Sequence, residues 1–194
     1  MSTEHGSGSG VVVAAALALL VGAAAFAGPT LAEETKQVGA TAIVYRGPKI
    51  DVAISYRFIK LNPSGTWFFL DTAMTATAPI EVPRTAISLR TPSGAVVALA
   101  SQEEFGRAFP GLAGEITRAN KTREPMAYLT PRRYRRLAYF TEPGRGLAFP
   151  SVWLDEWHNH YGRLFFQLPA GIQPGSYELV IDLHDSRVAI PFTI

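Results

Sequence analysis

Turn-forming residues recur about every ten positions along most of this chain, and between them run short stretches rich in aromatic, β-branched and threonine residues. Asn62-Pro63-Ser64-Gly65, Thr91-Pro92-Ser93-Gly94, Glu142-Pro143-Gly144 and Pro174-Gly175 each set a φ-fixing proline near a glycine that tolerates left-handed backbone. Such punctuation leaves too little chain for strand-helix-strand units. It predicts an all-β fold, an antiparallel sandwich in which each strand shows one face to a core.

The patterning within the segments sharpens this. Over residues 51–60, Val52, Ile54, Tyr56 and Phe58 share one face while Ala53, Ser55, Arg57 and Ile59 share the other, the mark of a half-buried strand. Residues 66–77 would complete a hairpin with it. Pro79 and Pro83 assign the next connection to an edge, and residues 85–90 and 95–100 predict a second hairpin. Ser101-Gln102-Glu103-Glu104 matches a capping box, and Phe105, Ala108 and Phe109 continue at helical spacing up to Pro110. Residues 111–125 hold few large apolar side chains, so they form either a further helical turn or a loose insertion; together the helical insertion spans about 102–121, outside the sheets. Strand signals return over residues 134–140, 147–154, 163–168, 176–184 and 187–194, with a polar break at 155–162. The expected core is Val52, Ile54, Tyr56, Phe58, Phe68, Leu70, Ile87, Leu89, Phe165, Tyr177, Leu179 and Ile181.

At Pro174-Gly175-Ser176-Tyr177-Glu178-Leu179, running into the final strand VAIPFTI, the chain resembles the last two strands of immunoglobulin-like and fibronectin-III-like domains. The resemblance implies a single immunoglobulin-like β-sandwich over residues 38–194, with Tyr177 as the tyrosine-corner residue. The chain has no cysteine, so the inter-sheet disulfide of antibody domains is excluded and only the architecture carries over. By fold analogy it implies adhesion, docking or scaffolding.

Residues 11–27 carry no charge and end in Ala25-Phe26-Ala27, small residues of the kind read at a signal-peptidase site; a second such site follows Ala32. Residues 1–27 therefore read as a signal peptide and 28–37 as a linker. The alternative is an uncleaved anchor, since no Lys or Arg precedes the apolar segment and its length lies at the short end of a membrane span. Both place the folded part outside the cytoplasm, periplasmic, secreted or membrane-anchored.

The chain carries 18 basic and 16 acidic side chains, a mild balance concentrated in one place. Residues 118–136 hold Arg118, Lys121, Arg123, Arg132, Arg133, Arg135 and Arg136 against Glu124, with Tyr128 and Tyr134 interleaved. Export argues against nucleic acid as the partner; a lipid headgroup, an acidic polysaccharide or an acidic protein suits such a surface. Strand alternation places Arg132 and Arg136 outward opposite Leu137 and Tyr139, with Arg133 and Arg135 nearer the sheet rim. The plainer alternative is a solvated arginine face paired with the acidic C-terminal third.

Asp155-Glu156-Trp157-His158-Asn159-His160-Tyr161 is the second candidate. A His-x-His pair on a strand faces one way, so His158 and His160 could hold Zn or Cu with Asp155 or Glu156 as an oxygen ligand. Against this, Asn159 and Gly162 are hairpin-tip residues, which gives a loop whose histidines are solvated or hydrogen-bonded. Trp157 and Tyr161, with Trp153, could stack on a sugar or a partner, although the four-residue spacing of the tryptophans on a strand favours burial. No G-x-S-x-G elbow, H-E-x-x-H motif or phosphate-binding loop is present. The sequence thus predicts an exported, non-catalytic binding or structural module without a cofactor. The alternative is a metal-binding protein or metalloenzyme at His158 and His160.

Overall fold

The computed structural model describes Met1 and residues 33–131 and 133–194; the signal or anchor segment and Arg132 lie outside the described residues. Strands β1 (Glu34–Val38), β2 (Ala42–Arg46), β3 (Ile50–Ser55) and β4 (Trp67–Ala76) form an antiparallel meander, so the sheet already begins within the stretch read as linker. A one-turn helix α1 (Arg57–Leu61) lies between β3 and β4. It replaces the second half of the strand expected over 51–60. The helix explains why Phe58 and Ile59, adjacent in sequence, are both buried, which an extended strand with one wet face forbids. Next come β5 (Ile80–Pro83), a 3-10 turn at Arg84–Ala86, β6 (Ile87–Arg90), β7 (Val96–Ala98) and helix α2 (Gln102–Lys121). The chain ends with β8 (Tyr134–Arg136), β9 (Ser151–Leu154), β10 (Asn159–Gln167), β11 (Ser176–Leu183) and β12 (Ser186–Thr193).

The strands form a six-stranded sheet in the order β1-β2-β3-β4-β10-β8, a four-stranded sheet β12-β11-β6-β7 and a small pair β5-β9. All pairs are antiparallel except β8 with β10, which run parallel. That exception departs from the purely antiparallel expectation. The two larger sheets face each other: Phe68 of β4 meets Tyr177 of β11 at 4.9 Å and Phe192 of β12 at 6.1 Å. The arrangement is predominantly β and compatible with a sandwich.

β4 is buried along its whole length, because the six-stranded sheet is covered on both faces. On the face away from the second sheet, Phe69 stacks on Phe58 of α1 at 5.3 Å and meets Phe165 of β10 at 5.0 Å. Phe165 in turn packs on Phe105 of α2 at 4.7 Å. Farther along the sheet Met126 and Leu129 close over Val44, Ala53 and Ala73. α2 is therefore a third layer rather than a loose insertion. It runs unbroken through exposed Pro110 because Phe105, Ala108, Phe109, Leu112, Ile116 and Ala119 keep one apolar stripe on the core. Its start is fixed by the expected capping box: the Glu104 N–H donates to Ser101 Oγ at 3.1 Å, and the Ser101 N–H to Glu104 Oε2 at 2.7 Å. Each residue of the expected core is buried. Tyr177 donates to the Gln173 carbonyl at 2.8 Å and accepts from the Gln173 N–H at 2.9 Å, fixing the turn before β11.

Candidate anion-binding cleft

The helix-covered face of the six-stranded sheet carries a row of polar side chains where its neighbours are apolar. Strand register makes Ser55, Asp71 and Arg163 cross-strand neighbours on β3, β4 and β10. Arg163 Nε donates to Asp71 Oδ1 at 3.0 Å, with side chains only 7% and 8% exposed. Arg123, just past the end of α2, reaches the same carboxylate at 3.3 Å and lays its guanidinium over the Tyr161 ring at 3.8 Å. Arg163 Nη1 also donates to the Asn120 side-chain oxygen at 3.3 Å. Its Nη2 sits 3.0 Å from Asp71 Oδ1 but is buried without a hydrogen-bonding geometry to any acceptor.

Burial and neighbouring charge oppose each other along the row. Burial pushes the Asp71 carboxyl above the usual carboxylate range, and the guanidiniums of Arg163 and Arg123 pull it back. Burial also lowers Arg163 from the guanidinium value, with Asp71 opposing, and a guanidinium so displaced remains charged. Two arginines thus share one carboxylate. Glu124 continues the row, accepting from Thr41 at 3.0 Å, Ser55 at 2.9 Å and Tyr128 at 2.7 Å. The phenols are held in their donor form: burial first, then Asp71, pushes Tyr161 up to about 12, and burial with the Glu124 hydrogen bond does the same to Tyr128. Neither can exchange a proton near neutrality, so the row has the chemistry of a binding wall.

A cleft opens beside this row between α2 and β8–β10. It has a volume of about 330 Å³ and is lined by Asn120, Arg123, Arg136, Tyr161 and Arg163, with Phe105 and Phe140 at its apolar end. A second cavity of about 350 Å³ shares Arg123 and Tyr161 and continues along Glu124, Pro125, Met126 and Tyr134. Glu142, also at the wall of the first, is bridged to Arg145 at 3.4 Å. Counting Arg123, Arg136, Arg145 and Arg163 against Asp71, Glu124 and Glu142 leaves a local charge of +1. Gly162 makes the crossing possible: a Cβ there would lie 2.7 Å from Leu137 Cβ and 2.8 Å from the Leu137 carbonyl oxygen. Gly162 is thus a mid-strand residue of β10 over which the chain after β8 passes, not a hairpin tip.

The sequence-predicted arginines divide. Arg118 and Lys121 occupy the last turn of α2, where their charge complements the helix dipole. Arg123 turns inward. Arg133, Arg135 and Arg136 are exposed together with Tyr134, so the expected in-out alternation fails here: β8 is a three-residue strand at the end of its sheet, with little covering it. Leu137 and Tyr139 do turn inward as expected. Arg136 donates to the Phe140 carbonyl, and Arg135 lies 3.7 Å from Asp155.

The histidine loop differs from its reading as a tip. Asn159 and His160 begin β10 and are buried, whereas His158 precedes the strand, and the two imidazole rings lie 6.2 Å apart. Asp155 receives the backbone N–H groups of Trp157 at 2.9 Å and His158 at 2.7 Å, and lies 2.9 Å from His158 Nδ1. Its burial is outweighed by these hydrogen bonds, which hold the carboxyl below its ordinary value. Among the described residues no three His, Cys, Asp or Glu side chains converge as a metal site. Trp153 and Trp157 are 61% and 62% exposed, against the expectation of burial. The small β5-β9 pair presents Trp153 outward, and Trp157 rides on the Asp155 turn.

Compared with known protein families, with curated proteins and with solved structures, the chain matches none of them. Among the described residues no helix is long and apolar enough to cross a membrane.

Proposed function

We propose that this chain is an exported, non-catalytic binding module whose working surface is the arginine cleft beside α2, where it holds an anionic group of its partner. One observation carries the reading: Arg123 and Arg163 share a single carboxylate within a concave wall that Arg136 also lines. A carboxylate divided between two guanidiniums leaves N–H donors of both unsatisfied, and these are arranged with Arg136 around a space that a ligand can enter. The fold belongs to this reading as an immunoglobulin-like sandwich, supported by the Tyr177 hydroxyl on the Gln173 backbone and by the facing sheets. Export rests on the apolar segment 11–27.

The test is binding of the full chain to labelled polyanions of carboxylate, sulfate and phosphate type. At least one should bind, weakening steeply between about 0.01 M and 0.1 M salt, as the screening length falls from about 30 Å to about 10 Å. Arg123→Gln and Arg136→Gln should each reduce the affinity. Absence of binding at the lower salt, or wild-type affinity in both variants, overturns the proposal. For export, mass spectrometry should find a new N-terminus at Gly28 or Glu33.

A further inference from the structure

Given that the cleft is an anion site, its two cavities differ in a way that narrows the ligand. The first offers planar donors from Arg123, Arg136 and Asn120; the second, beyond the shared Arg123–Tyr161 stack, is walled by Pro125, Met126 and Tyr134, with Glu124 as an acceptor for hydroxyl groups. A molecule spanning both needs a planar anion at one end and an uncharged body with an apolar face next to it. The guanidinium forks of Arg123 and Arg136 match the two oxygens of a planar carboxylate. Tyr134 is 53% exposed at the edge of the second cavity, with its ring free to take the face of a pyranose.

We infer that the cleft binds a carboxylated sugar, a hexuronate unit of an acidic glycan, with its carboxylate at Arg123, Arg136 and Asn120 and its ring on Tyr134 and Met126. A bilayer surface is too flat to bring headgroups to recessed Arg163. An acidic peptide would use the first cavity and leave Tyr134 idle.

The experiment titrates the full chain with trimers of galacturonate, glucuronate and mannuronate, with the methyl-esterified galacturonate trimer, with polyglutamate and with phosphatidylglycerol vesicles. At least one uronate trimer should bind saturably. Esterification, or Arg136→Gln, should cost roughly tenfold in affinity, the worth of one charge-assisted contact. Tyr134→Ala should cost about fivefold for the uronate and nothing for polyglutamate. Both variants alter exposed side chains, and urea unfolding checks that they retain wild-type stability. Binding of polyglutamate or vesicles without any uronate overturns the sugar assignment while leaving the anion cleft standing. Equal binding of the esterified trimer also overturns it. Silence from every anion overturns the cleft itself.

Discussion

Asp71→Asn removes one charge and almost no volume, so its cost reports how far Arg163 depends on its counter-ion. Both side chains are more than nine-tenths buried, and breaking such a pair typically costs 3–5 kcal/mol because the surviving charge is left in low dielectric. Two features of the site lower that figure. Asparagine keeps one oxygen for Arg163 Nε, and Arg123, 35% exposed, can swing into water. The expected loss is about 3 kcal/mol, or roughly 6–12 °C in Tm for a domain of this size. Urea unfolding followed by the fluorescence of buried Trp67 measures it. The cycle with Arg163→Met adds the sharper test. Asp71→Val alone should be the least stable variant, while Asp71→Val with Arg163→Met should recover to within about 1 kcal/mol of the wild type, since a matched apolar pair has no desolvation to offset. Asp71→Asn within about 1 kcal/mol of wild type, or a double variant no better than Asp71→Val, would refute the argument that this pair is buried and uncompensated elsewhere.

Gly162→Ala should lose about 2 kcal/mol and weaken anion binding, because its Cβ displaces Leu137 and with it the Leu137 N–H bond to the Tyr161 carbonyl at 2.8 Å, next to Arg136; wild-type urea midpoint and affinity would contradict this. His160 is buried with Nδ1 unpartnered, and burial first, then Arg135 and His158, lowers its pKa against the pull of Asp155. The unfolded chain then takes up a proton that the folded one refuses, so stability should fall as pH drops below about 6.5, by about 1.4 kcal/mol for each unit of depression, and His160→Leu should lose that acid limb. Ser101→Ala should cost about 1 kcal/mol by removing the cap of α2, read as a lower urea midpoint with an unchanged slope. Tyr177→Phe should cost about 1–2 kcal/mol, since both Gln173 backbone groups lose their partner; a neutral result would mean water replaces the hydroxyl.

The strands that could be read from the sequence are those whose two faces differ. β11 alternates buried Tyr177, Leu179 and Ile181 with more exposed Glu178 and Asp182, and its facing partners in β6 and β12 obey the same rule. Residues 51–60 misled because the sheet they enter is covered twice, by a second sheet and by helices. A strand buried on both faces loses its polar alternation, and a run such as Phe58-Ile59 then fits a helical turn as well as a strand. The continuation of α2 past Pro110 was obscured for a related reason. Proline in mid-helix costs about 3 kcal/mol by propensity, and only the unbroken stripe of Leu112, Ile116 and Ala119 outweighs it.

The cleft was half legible. The basic stretch drew the eye to Arg123 and Arg136, but their partners came from Asp71 and Arg163, single charges inside apolar strands that register alone brings opposite each other. Their signal was present: a lone carboxylate in Phe68-Phe69-Leu70-Asp71-Thr72 and a lone guanidinium in Gly162-Arg163-Leu164-Phe165 are costly to bury unless each finds the other. What the sequence could not supply is the count of charges per site. Arg163 alone would be a structural ion pair with Asp71, and a structural pair asks for no ligand. Arg123, brought back over Tyr161 where α2 ends, converts the pair into a triad in which two guanidiniums divide one carboxylate, and Gly162 lets the chain after β8 cross so that Arg136 faces the same space. The binding capacity of the cleft therefore resides in the tertiary placement of Arg123, just past α2, and Arg136, at the end of β8, around the buried pair, and it should vanish with those two while the fold persists on the pair.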